Sequence, residues 1–129
     1  MIPEGLVKET VFGEVVAKAN HYMAVLDRNG QRRIIKDPII REYERRFCKQ
    51  VATYCNKNIA SRFVLYVEVY YCNLQHDLDN SLKTILDCLQ YCHAIKDDVY
   101  CIAIHAEKHR DPRNPRVIFA IEEKEPTLL

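Results

Sequence analysis

Stretches of β-prone apolar residues alternate along the chain with two segments whose apolar positions recur at helical spacing. Residues 9–26 (ETVFGEVVAKANHYMAVL) are apolar, interrupted by Lys18, and predict one or two strands. Asn29-Gly30, inside Asp27-Arg28-Asn29-Gly30-Gln31, is a hairpin signal because both residues accept the positive φ of a tight turn. Arg33-Ile34-Ile35-Lys36 is the expected return strand. Asp37-Pro38 then opens a helix: Asp caps free amides and Pro suits the first helical position. Ile39, Tyr43, Phe47, Val51 and Tyr54 share one face, while Arg41, Arg45, Arg46 and Lys49 lie largely off it, and Asn56-Lys57-Asn58 ends the helix. Residues 62–72 (RFVLYVEVYYC) read as a central strand with two largely apolar faces, both covered. Residues 80–92 form a second helix with Leu82, Ile85, Leu86 and Leu89 as its buried stripe. Residues 99–106 and 116–123 predict two strands joined by the basic loop 109–115. The order β(β)–α–β–α–β–β describes an α/β (α+β mixed) fold, a single small domain over residues 1–129 with a mixed sheet packed with two main helices.

Composition narrows the class without naming it. At 129 residues, 48% apolar and 29% charged, the chain has an ordinary globular balance. No apolar run approaches the roughly 20 residues that span a bilayer, so no membrane partner is expected. Met1-Ile2-Pro3-Glu4-Gly5 has neither the basic nor the apolar region of a secretory signal. A cytoplasmic location and reduced thiols are therefore the expectation for the six cysteines. Cys88 and Cys92, and Cys101, His105 and His109, recur at an interval that holds Zn²⁺ on a helix. The second group falls on a predicted strand, where that interval does not converge, and core packing is the plainer reading of the thiols. The net charge of +1 hides an uneven distribution. Residues 28–49 hold eight bases against three acids, and residues 108–116 hold four against one. Such segments either grip a polyanion or form solvated faces.

The chemistry gathers where the central strand gives way to the second helix, at His76-Asp77-Leu78-Asp79-Asn80. Two carboxylates two residues apart in extended backbone point the same way and suit a hard cation such as Mg²⁺. Lys83 lies one helical turn after Asp79, where it holds that carboxylate or contacts a phosphate oxygen. A second acidic pair, Asp97-Asp98, follows the helix. The helix carries the chain about 16 Å away, and the seven residues from Tyr91 to Asp97 span roughly 23 Å when extended. A return of Asp97 and Asp98 to Asp77 is therefore feasible. The plainer alternatives are helix caps for Asp77 or Asp79, an exposed turn for Asp97-Asp98 and a turn histidine for His76.

Asp77-Leu78-Asp79-Asn80, then Lys83, then Asp97-Asp98, resembles the signature of the RusA family of Holliday-junction resolvases, the crossover junction endodeoxyribonucleases. The likeness covers about residues 60–123. Lys18-x-Asn20-x-Tyr22 and the helix near Tyr43 resemble the family's opening strand and first helix more loosely. Where many relatives carry a basic run, this chain has Cys72-Asn73-Leu74-Gln75-His76. The resemblance implies Asp77, Asp79 and Asp98 as catalytic and metal-binding acids, with Asp97 a further metal candidate, and Lys83 as the catalytic lysine. It implies a Mg²⁺-dependent homodimeric endonuclease, with Mn²⁺ a substitute, that cuts four-way DNA junctions in recombination and repair. Lys18, Asn20, Arg32, Arg33, Lys36, Arg110 and Arg113 are the candidate DNA contacts. The alternative is a non-catalytic binding module for branched or structured nucleic acid.

Overall fold

A computed structural model of the chain describes residues 1–17 and 22–124. Its elements follow the expected order: β1 (Glu9–Phe12), β2 (Tyr22–Leu26), β3 (Arg32–Lys36), α1 (Pro38–Gln50), β4 (Phe63–Tyr71), α2 (Leu78–Tyr91), a 3-10 turn (Asp98–Tyr100), β5 (Cys101–Arg110) and β6 (Arg116–Glu123). Strands β1, β6, β4 and β5 form one mixed sheet in that order, with β5 parallel to β4 and the other pairs antiparallel. Strands β2 and β3 form a separate hairpin, in which Asp27 Oδ1 accepts the amides of Asn29 and Gln31. No helix among the described residues is long and apolar enough to cross a membrane.

The period-two pattern of β4 decides where the core lies. Phe63, Leu65, Val67, Val69 and Tyr71 are all buried and pack in one cluster with Tyr43 and Phe47 of α1 and with Ile85, Cys88 and Leu89 of α2. The Phe47 ring stacks on Phe119 with centroids 5.7 Å apart. On the other face Tyr66, Glu68 and Tyr70 are only half-buried, so β4 is not fully covered on both sides. Apolar alternation on both faces concealed this, because tyrosine serves equally in a core and on a wet sheet face.

Both helices form near their predicted positions, and Tyr43, Phe47, Ile85 and Leu89 are buried as expected. At the start of α1 it is Ile40 that is buried, at 2% exposure, and not Ile39, at 51%. Ile40, Tyr43 and Phe47 share a helical face as well as Ile39 does, so spacing alone did not choose between them. The helix stops at Gln50, earlier than expected, and Val51 and Tyr54 are buried beyond its end. There the Glu9 carboxylate of β1 accepts the amides of Ala52, Thr53 and Tyr54. In α2 the fully buried stripe includes Ser81, Thr84 and Cys88 with Ile85 and Leu89, while Leu82 and Leu86 are half-buried.

The exit of α2 is tied down. The amides of Asn56, Asn58 and Ile59 donate to the carbonyls of Cys92, His93 and Ala94, and the Lys96 amide donates to Ile59 O. Asn56 and Asn58 adopt positive φ, which asparagine tolerates better than most residues. This ladder delivers the chain to the start of β5, beside the start of β4.

Candidate functional site

The site is built on the N-terminus of α2. Asp77 is the N-cap, in extended backbone, and its Oδ1 accepts the Asp79 amide at 3.0 Å. Its Oδ2 accepts a hydrogen bond from the Asn80 side-chain amide at 3.1 Å. The expected cap therefore exists, and Asn80 orients it. Asp79 is not in extended backbone as expected: it sits in the first turn of the helix, its carboxylate exposed. Both acids occupy the end of the helix whose free amides and dipole favour negative charge. Lys83 is exposed one turn farther on.

Buried contacts hold this turn to the sheet. The Tyr71 hydroxyl, at the end of β4, donates to Ser81 Oγ, and Ser81 Oγ donates to the Asp77 carbonyl. Burial, aided by the nearby Asp77 charge, pushes the Tyr71 phenol above its ordinary range, so it stays a donor. Thr84 Oγ1 donates to Val16 O at 2.7 Å, which brings the segment after β1 against α2. In that segment Glu14 accepts the Cys72 amide through Oε2 at 2.8 Å, and its Oε1 lies 2.9 Å from His76 Nε2. The His76 ring stacks on Tyr71 with centroids 4.9 Å apart. Glu14 escaped the sequence reading, since it lies 58 residues from Cys72.

The remaining acids lie elsewhere. Asp97 caps the 3-10 turn, its Oδ1 accepting the Val99 amide at 3.0 Å; that bond, then the Asp98 side chain, holds its carboxyl below the ordinary range. The Asp98 amide donates to Gln90 Oε1 at 3.2 Å. Gln90 is in the last turn of α2 and Asp77 caps its first. At about 1.5 Å per residue the two ends are about 20 Å apart along the axis. The return of Asp98 to Asp77 and Asp79 within one chain is thus corrected. The ladder between residues 56–59 and 92–96 and the parallel pairing of β4 with β5 lead the chain to the opposite end of the sheet.

The basic candidates divide as well. Arg110 pairs in register with Tyr71, and Arg113 lies in the turn between β5 and β6, so both stand at the Asp77 end of the sheet. Arg116 is occupied: its guanidinium lies 3.8 Å from the Tyr70 ring centroid, and Nη1 is 2.8 Å from Asp111 Oδ2. His109 and Arg110 belong to β5, so the connecting turn is shorter than the predicted loop. Arg32 and Arg33 are exposed on β3, where Lys36 is the last residue. Lys18 and Asn20 lie outside the described residues. The predicted zinc intervals are used otherwise: Cys88 and Cys92 are buried, with burial pushing the Cys92 thiol up to about 11, and His105 and His109 stack on Tyr66 and Tyr70.

The model of a family described as Endodeoxyribonuclease RusA matches residues 13–122. No curated protein matches the chain.

Proposed function

Since the chain belongs to the RusA family of endodeoxyribonucleases, we propose that it is a Mg²⁺-dependent nuclease that resolves four-way DNA junctions in recombination and repair, acting as a homodimer. The observation that carries this reading is the start of α2. Asp77 and Asp79, Lys83 one turn on, and the Arg110–Arg113 turn all gather at one end of the sheet.

The donor set suits a hard cation. Asp77 and Asp79 offer only carboxylate oxygens, and a carboxylate has about four acceptor positions. Asp77 uses two of these in capping and keeps the others for a ligand. Bound there, Mg²⁺ would neutralise phosphate charge and lower the pKa of a water molecule. Lys83 stabilises negative charge that grows on the phosphate in the transition state. Arg110 and Arg113 hold neighbouring phosphates without reading sequence. The products are a 5′-phosphate and a 3′-hydroxyl. Mn²⁺ shares the preference for oxygen donors and substitutes for Mg²⁺.

Asp98, at the far end of α2, completes this site from a second copy. A two-fold axis presents the Asp77 end of each chain to the Asp98 end of the other and creates two equivalent sites. Two sites match the two nicks that resolve a junction. The position of Asp98 also supports the second reading, a binding module whose acids serve only as caps. Incubation with synthetic four-way, Y-shaped and linear DNA, with and without Mg²⁺, separates the two. The nuclease cuts the four-way substrate in Mg²⁺, and Asp79→Asn abolishes cutting while the thermal midpoint stays unchanged. An intact junction, or a fully active Asp79→Asn variant, rejects the assignment.

A further inference from the structure

We propose that Glu14, Cys72 and His76 form a second metal site, separate in chemistry from the aspartates, that takes a single borderline divalent ion of the Zn²⁺ class. A carboxylate oxygen, a thiol sulfur and an imidazole nitrogen from these residues all lie within 4.8 Å of one another. Glu14 Oε1 is 2.9 Å and Cys72 Sγ 3.9 Å from the same atom, His76 Nε2. All three residues are half-buried.

Each donor is held by something other than the proposed ion. The Cys72 amide binds Glu14 Oε2, and Tyr71 stacks beneath the His76 ring at an interplanar angle of 5°. Thr84 ties the segment that carries Glu14 to α2 through Val16. The site is therefore pre-organised by the fold, so little conformational freedom is lost on binding. Thiolate and imidazole select Zn²⁺ over Mg²⁺, which prefers six hard oxygens in octahedral array. The hydrogen bond to Glu14 raises the Cys72 thiol above its ordinary range. Binding forms a metal–sulfur bond and releases the thiol proton to solvent. Three protein donors leave a fourth tetrahedral position open. An ion there joins the segment after β1, the end of β4 and the residue before Asp77, and so braces the turn that carries Asp77.

Co²⁺, which gives a thiolate-to-metal absorption band, is the probe. The reduced intact chain, stripped of metal, is titrated with Co²⁺ and then with Zn²⁺. The proposal expects one equivalent of Co²⁺, a near-ultraviolet thiolate band, and its displacement by Zn²⁺. Cys72→Ser removes the band, and Glu14→Gln and His76→Gln each weaken binding at least tenfold, with circular dichroism spectra unchanged. Cys55→Ser leaves the band intact; Cys55 is the control because its Sγ lies 3.6 Å from Cys92 O, beside a different thiol. Asp79→Asn keeps the band while it loses junction cleavage, so failure of this site and failure of the nuclease reading are told apart. No thiolate band, a band that survives Cys72→Ser, or one that disappears with Cys55→Ser overturns the proposal.

Discussion

The cap that Asp77 forms and the metal-binding role proposed for it are separated by different substitutions. Its carboxylate caps α2 through the Asp79 amide and is steadied by Asn80. Asp77→Ala removes the cap and is expected to lower unfolding free energy by about 0.5–2 kcal/mol. Asp77→Asn keeps an acceptor oxygen for the cap and removes the charge. It is expected to leave the urea midpoint nearly unchanged while cleavage is lost; a variant that cuts normally makes Asp77 a cap and nothing more. Asp111 has a simpler electrostatic role. Its hydrogen bond with Arg116 Nη1 is the largest influence holding its carboxyl below the ordinary range. A depressed native-state pKa means that stabilisation is fully present above the unfolded value of roughly 3.9 and fades as pH falls through the native value. Asp111→Asn is thus expected to lower the melting temperature at pH 7 and to show a smaller deficit at about pH 2. An equal deficit at both pH values shows that the pair contributes through shape alone.

At the scale of elements, what is local was readable and what depends on long-range pairing was not. The Asp37-Pro38 start of α1, the Asn29-Gly30 hairpin and the alternation of β4 are encoded within a few residues, and each stands where the pattern put it. The position of Asp98 depends on the direction in which the chain enters β5. Reach alone allowed a return to Asp77, whereas a strand–helix–strand unit with parallel strands starts both strands at the same end of the sheet. That rule, applied to β4, α2 and β5, was the available signal. Glu9 offered no such signal, because a carboxylate in a β-prone stretch reads as a solvent-facing residue. It is 8% exposed and accepts amides that follow the end of α1. Glu9→Ala leaves those amides without partners and is expected to destabilise the fold by about 1–3 kcal/mol in urea unfolding. A change below about 0.5 kcal/mol would mean that water replaces the carboxylate there.

The whole molecule places its candidate chemistry at two ends of one helix. Asp77, Asp79 and Lys83, with the Arg110–Arg113 turn, stand at one end of the sheet, and Asp97 and Asp98 stand at the other. The sequence made the acids visible as a set, and the fold shows that one chain does not close that set. In the proposed assembly two copies do, each giving Asp77 and Asp79 to one site and Asp98 to the other. Mixing two inactive variants tests it directly. Asp79→Asn and Asp98→Asn are each expected to leave a four-way junction uncut in Mg²⁺. When the two are unfolded together and refolded as a mixture, half of the assemblies hold one variant of each kind, and each of these contains one intact site. Nicking should therefore reappear in the mixture. If the wild type cuts, both single variants are dead, and the refolded mixture stays dead, each site lies within one chain and the account is contradicted.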